Sequence, residues 1–580
     1  MTNCKYATNI LAYLVIYNEY KIHISSLIAS TAFDCSIGVF MLTLTRSALK
    51  DTAAWQKAGT ALPQFDIELM KKNTAESPEW IHFGAGNIFR GFIAPLQQKL
   101  LDKNLAKTGI IAADTFDGEI IDKIYKPFDN LALLVTMCAD GSLEKSVIAS
   151  AAEAYQATPQ NKAHWEQLKS IFKSPSLKMV SFTITEKGYA LRGMNGEIMP
   201  VVQKDLAEGP AAPVHAMSIV TSLMLERFKA GAKPIALVSM DNCSQNGEKL
   251  QSAVLEIAGT WLKNGFVSEE FVSYLKDTSK VAFPWTMIDK ITPRPAKNVQ
   301  EQLEKDGIGG IAPITTTKGT FIAPFVNAEK PQYLVIEDTF PAGRPAFENL
   351  KDSGVFLTDR ASVSKSERMK VTACLNPLHT ALAVYGCLLG YTSIAKEMQN
   401  PLLVSLIKQI GYKEGLPVVE NPGILSPEAF IDEVINGRLV NPNIPDTPQR
   451  IATDTSQKIP VRFGETIKAY IEKGKDLNEL KGIPLAIAGW LRYLLAVDSK
   501  GQKFEPSSDP MLSEMQEKLK NVKLGDKSTS NGVLGSILAN KTLFGTDLTK
   551  TPLAAKIEAM FADLVSDASA VEAVLHKYLD

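Results

Sequence analysis

Residues 370–379 read KVTACLNPLH and set a lysine, an asparagine and a histidine close together. If Pro377 opens a helix, Asn376 stands at its N-cap and His379 lies on the same side one turn on. Two readings of that spacing stay open. In one, His379 is a buried histidine of a capped helix. In the other, both side chains hold a substrate carbonyl or hydroxyl, with Lys370 just upstream to give and take a proton. A lysine does that work when burial and cationic neighbours bring its pKa from ~10.4 toward roughly 7–8.

A second signal lies upstream. The run IHFGAGNIFRG at 81–91 puts GxG at the turn from an apolar strand into a helical pattern. Gly84 permits the tight turn, and Gly86 lets the backbone approach a pyrophosphate. The helix start offers free N–H groups and a positive dipole end. Phe89 stands where the full GxGxxG pattern has its third glycine. Gly84, Gly86, Asn87, Ile88 and Arg90 are thus the candidate dinucleotide contacts. The next apolar run ends at Asp114, a carboxylate placed to take ribose hydroxyls. It would repel a 2′-phosphate, so NAD is expected rather than NADP. A helix cap or solvated turn is the alternative for Asp114.

Three more segments are rich in polar side chains: SMDNCSQNG at 239–247, FPWTMIDKITP at 283–293 and DTPQR at 446–450, running on to Lys458. Asp289 and Lys290 stand inside an otherwise apolar stretch.

The elements that must position these groups follow from the patterning. From residue 80 to 249, short apolar runs alternate with helical stretches, which implies a parallel sheet with crossover helices. From about 350 onward, long apolar-periodic helical stretches dominate. The expected fold is α/β. A Rossmann-like N-terminal domain over 41–345 is followed by a mostly α-helical, substrate-binding C-terminal domain over 346–580, with the ligand crevice between them. Net charge is −1, so the molecule as a whole has no electrostatic pull toward nucleic acid or an anionic membrane. The six cysteines are scattered without a CxxC pair, and no two of the six histidines share a helix turn. Neither a disulfide framework nor a zinc site is expected, and a reducing, cytoplasmic setting fits.

Residues 1–40 are apolar but interrupted by Glu19, Lys21 and Asp34, too often for a bilayer span. They also lack the order of a signal peptide. They are expected to be a non-native or disordered extension, with the working protein starting at Met41. A weak membrane anchor is the alternative.

Taken in order, FGAGNIFRGF, TITEKGY, SMDNCSQNGEKL, FPWTMIDKITP, QYLVIEDTFPAGRP, LNPLH and DTPQRIATDTSQKIP resemble the landmarks of the long-chain mannitol dehydrogenase family over about residues 80–465. The resemblance implies metal-independent hydride transfer between NAD and a sugar acid or polyol. The fructuronate/mannonate pair is expected first, then mannitol/fructose and tagaturonate/altronate. It further implies Lys370 as acid–base, Asn242 and Asn376 holding the reacting oxygen, and His379, Asp289, Arg450 and Lys458 contacting substrate. Arg450 and Lys458 suit a carboxylate.

One departure stands out. The family sets its lysine five residues before the asparagine, whereas Lys370 is six before Asn376 and Val371 holds the expected position. A one-residue bulge would restore the geometry. Without one, Lys365 or Lys458 is the fallback. A nucleotide-binding protein that kept this fold but lost turnover is the alternative of another class.

Overall fold

The computed structural model describes residues 41–193 and 195–579. The expectation for residues 1–40 lies outside the described residues.

Six parallel strands form the main sheet: β1 (Trp80–Phe83), β2 (Ile110–Asp114), β3 (Ala151–Gln156), β4 (Met179–Phe182), β5 (Ile235–Ser239) and β6 (Val281–Ala282). Their spatial order is 3-2-1-4-5-6, each hydrogen-bonded in parallel to its neighbours. That order reverses between β1 and β4, and ligands of such sheets sit outside the carboxyl ends of the strands at this switch. All residues of β1, β2, β4 and β5 are buried. This explains why they read as continuous apolar runs rather than alternating ones.

A four-stranded sheet built on 132–137 and 143–148, and a three-stranded one, pack alongside. The three-stranded sheet holds β7 (Thr286–Asp289), β8 (Tyr333–Glu337) and β9 (Val355–Thr358). Strand β9 pairs with β8 in parallel, so strand structure extends past residue 345 and the helical part begins at Arg360.

In that helical part, α1 (Asn376–Leu388) and α2 (Gly482–Tyr493) are apolar on nearly every face, as core helices must be. Gly489 lets them close together, since a Cβ there would lie 2.6 Å from the Tyr385 ring. The Tyr385 hydroxyl donates to the Leu485 carbonyl at 2.8 Å, so its polar end is satisfied inside the core. The continuous helical run Arg360–Leu388, which carries Lys370, is apolar and long enough to cross a membrane, but 72% of its apolar window is buried within the protein. The sheet-bearing and helical parts belong to one compact unit from Thr43 onward.

Candidate active site

The glycine turn leaves β1 at Gly84, whose φ is +108°. A side chain there would meet the Thr183 carbonyl oxygen at 2.1 Å, so only glycine fits. Gly86 differs: a Cβ on it meets nothing within 4 Å. Space therefore opens above the turn where the next helix begins with unpaired N–H groups. Asp114 closes the turn from beside it. Its carboxylate accepts from the N–H groups of Ala85 (3.0 Å), Phe116 (2.9 Å) and Asp117 (2.6 Å). Burial pushes the Asp114 carboxyl up, and those N–H bonds oppose it. Asp114 is only 8% exposed, and its acceptance of the N–H groups two and three residues on is the bonding of a turn-capping residue.

Arg90 is buried rather than presented to a ligand. It donates to the Ala323 carbonyl at 2.7 Å and to Asn87 Oδ1 at 2.9 Å, and Asn87 donates to the Pro293 carbonyl at 3.3 Å. This pair fastens the glycine turn to Pro293, the last residue of the IDKITP segment, and to Ala323. Ile88 beside them is half-buried.

At the carboxyl end of β5, Asp241 ties neighbouring loops together. Its carboxylate accepts from Ile184 N and Thr185 N, both at 2.9 Å, and from the Tyr189 hydroxyl at 2.6 Å. Thr185 sits at φ +64°, a strained conformation for a β-branched residue that these bonds hold in place. Asn246 donates to the Asp241 and Thr286 carbonyls, each at 3.0 Å, locking the end of β5 to β7. Asn242 and Ile288 are thereby fixed relative to each other.

Lys370 meets both. Its Nζ donates to Asn242 Oδ1 at 2.7 Å and to the Ile288 carbonyl at 2.9 Å, and the residue is 2% exposed. Burial lowers its pKa, with Arg438 adding to the effect and Asp289 opposing it. An ammonium has three N–H bonds, so two are used and the third stays open. With Asn242 Oδ1 turned to the lysine, the amide's Nδ2 is left open beside it.

The extra residue between Lys370 and Asn376 is taken up by a π-helical turn over Lys370–Cys374, in which Leu375 N donates to the Lys370 carbonyl at 3.1 Å. Such turns hold one residue more than an α-helical turn. This is a one-residue bulge of the kind the spacing calls for. Asn376 is the first residue of α1 and not its cap: Leu375 holds the cap position, and no side chain caps the helix. Among the described residues the half-buried Asn376 amide has no hydrogen-bond partner, which leaves it free for a ligand.

His379 lies one turn along α1, with Nε2 2.8 Å from Asp446 Oδ2, close but without the alignment of a ring N–H hydrogen bond. With Arg438 and Asn441 these two residues line a pocket of about 50 Å³. Asp289 is paired with buried Arg438 at 2.6 Å. Burial alone would lower the Arg438 guanidinium, but Asp289, Glu329 and Glu433 outweigh it and keep the group charged. Arg450 pairs with Asp446 at 2.5 Å and is largely exposed. Lys458 donates to the Ile451 carbonyl at 3.0 Å and to the Thr453 carbonyl. Both cations are thus already engaged within the protein.

The mannitol dehydrogenase Rossmann domain matches residues 78–349, and the mannitol dehydrogenase C-terminal domain matches residues 362–565. The chain belongs to the mannitol dehydrogenase family. It is 51% identical to the D-mannonate oxidoreductase of Thermotoga maritima over 92% of this chain and 99% of that protein. The mannitol 2-dehydrogenase of Aspergillus fumigatus is 30% identical over 85% of this chain and 91% of its own length. Among solved structures, the Pseudomonas fluorescens mannitol 2-dehydrogenase in ternary complex with NAD and D-mannitol superposes with a TM-score of 0.65. It has 25% identity and covers 93% of this chain and 99% of that one.

Two positions of this family site carry no signal that the sequence reading used. Asp241 is the residue beside Asn242 in the SMDN motif, and a carboxylate at a strand's end was its one clue. Arg438 falls in the helical stretch VINGRLV, where a lone arginine reads as solvent-facing.

Proposed function

We propose that this chain interconverts D-fructuronate and D-mannonate with NAD, and that Lys370 moves the proton. The observation that carries the chemistry is the buried Lys370 amine. Two of its positions are held by protein oxygens, and the third is open beside the Asn242 amide. The residues around the turn suit a dinucleotide: Gly86 leaves room for a pyrophosphate against the helix start, and Asp114 places negative charge where an additional ribose phosphate would be repelled. NAD supplies the hydride acceptor or donor.

In the reductive direction the ketone oxygen accepts from Lys370 Nζ, Asn242 Nδ2 and the free Asn376 amide. As negative charge gathers on that oxygen these donors strengthen, and each is worth about 3–4 kcal/mol of barrier. The Lys370 ammonium then releases its proton to the forming alkoxide. In the oxidative direction the neutral amine takes the hydroxyl proton. Burial lowers the lysine's pKa and so favours the neutral amine that this step needs. Asp289, held by Arg438, and His379, held near Asp446, are set to take substrate hydroxyls.

The mannonate reading rests on the 51% identity to a D-mannonate oxidoreductase. One structural observation favours the neutral pair D-mannitol/D-fructose instead: Arg450 and Lys458, the side chains suited to a carboxylate, are engaged internally. NADH oxidation with D-fructuronate, D-tagaturonate and D-fructose decides between them. The expected kcat/KM for fructuronate exceeds that for fructose by at least about 100-fold, since a site built for a polar group rejects the analogue lacking it. Equal or greater efficiency with fructose would overturn the acid assignment. A preference for tagaturonate would shift it to the altronate pair.

A further inference from the structure

A cavity of about 810 Å³ lies apart from the reacting groups: Lys370, Asn242, Asn376, His379, Gly84 and Gly86 are all absent from its walls. Four lysines border it, Lys99, Lys290, Lys330 and Lys351, together with four carboxylates, Asp102, Glu144, Asp352 and Glu433. Glu433 is taken by Arg438 at 3.3 Å, and Asp102 accepts from the Gln64 N–H at 2.7 Å. Lys330 is neutralised by Glu144 at 2.6 Å. Lys99 and Lys290 are not. Lys99 Nζ donates to the Ser353 hydroxyl at 2.9 Å, and Lys290 Nζ donates to the Glu329 carbonyl. Both acceptors are neutral oxygens, and among the described residues neither lysine forms an ion pair.

The two ammonium groups feel each other. Burial pulls the Lys290 pKa down, Glu329 opposes that, and Arg438 and Lys99 add to it. Like charges held at a cavity wall on neutral partners, with N–H bonds to spare, are what an incoming anion relieves. The wall also supplies hydroxyls. Thr136 and Ser146, on two paired antiparallel strands, line the cavity, and their side chains make no hydrogen bond of their own.

We propose that this cavity binds a small polyhydroxylated anion, its phosphate or carboxylate seated between Lys99 and Lys290 and its hydroxyls on Thr136 and Ser146. The cavity meets the catalytic pocket at Asn441, which lines both, and the binding does not depend on which substrate the enzyme turns over. Lys351 at the rim adds attraction over distance.

Calorimetric titration of the full chain, with NADH and D-mannonate, a pair that cannot react, filling the catalytic site, tests this. The probes are glucose 6-phosphate, D-gluconate and inorganic phosphate. At least one sugar probe is expected to bind, and the Lys99→Met variant weakens it at least about tenfold. Lys99 is exposed, so the variant folds, and a thermal melt matching the wild type verifies that. Tighter binding of glucose 6-phosphate identifies a phosphate head, and tighter binding of D-gluconate a carboxylate. Three results overturn the proposal: no heat from either sugar probe, equal affinity for inorganic phosphate, or binding that Lys99→Met and Lys351→Met both leave unchanged.

Discussion

Replacing each glycine of the turn by alanine separates a folding requirement from a binding one. At Gly84 the new methyl falls 2.1 Å from the Thr183 carbonyl oxygen, on a backbone already at φ +108°. That carbonyl cannot step aside cheaply, because Thr183 N is bonded to the Phe83 carbonyl at 2.8 Å. Steric overlap plus the left-handed backbone cost about 3 kcal/mol or more, so Gly84→Ala is expected to lose much of its stability. At Gly86 a Cβ meets nothing within 4 Å. Stability should stay within about 1 kcal/mol of wild type, and reduced freedom of the unfolded chain works in its favour. In the proposed site the empty space at Gly86 takes the pyrophosphate, and the methyl would displace the cofactor. NADH binding should weaken at least about tenfold, equivalent to ~1.4 kcal/mol. Urea unfolding and titration of NADH fluorescence read the two effects separately. Wild-type NADH affinity in a folded Gly86→Ala protein would refute the placement of the cofactor over this turn.

Two further outcomes concern charges buried near the site. Arg438→Met strands Asp289, Glu329 and Glu433 without their cation, and urea unfolding should show a loss of about 3–5 kcal/mol. Glu397 is fully buried with neither oxygen hydrogen-bonded, and burial, with the Asp446 charge adding, pushes its carboxyl up to about 9. The folded chain therefore keeps a proton that the unfolded chain releases above the ordinary carboxylate range. Stability is fully present below that range and falls as pH rises toward 9, by at most about 1.4 kcal/mol per pH unit from this group. Glu397→Gln should flatten that slope between about pH 5 and about pH 8 in thermal melts, and an unchanged slope would assign the pH dependence to other groups.

The parts of the fold that were legible in the sequence are those governed by local pattern. Buried parallel strands show as unbroken apolar runs, and a GxG at a strand's end marks the switch point, so β1, its turn and the Rossmann order could be anticipated. The long apolar stretches of α1 and α2 declared a helical core in the same way. What stayed hidden depends on contacts between distant segments. The extra residue after Lys370 looked like a departure, because only the π turn shows how the amine regains its place against Asn242 and Ile288. Arg90 reads as a phosphate ligand by position, yet its side chain turns inward to Ala323, more than 200 residues away in sequence. Asn376 reads as a cap because proline follows it. The helix starts one residue earlier than that reading requires, and its amide is left unbonded. Asp241 and Arg438 act by fastening other loops, a role no spacing rule announces.

The central claim is that the Lys370 amine carries the proton at the reacting oxygen. Single-turnover hydride transfer in Lys370→Met tests it most directly, since methionine keeps most of the buried volume while removing the charge and the donors. The rate should fall by about 10²–10⁴-fold, the range lost with a positioned acid–base group, while the NADH dissociation constant stays within about twofold. Hydride transfer at close to the wild-type rate in that variant would contradict the account.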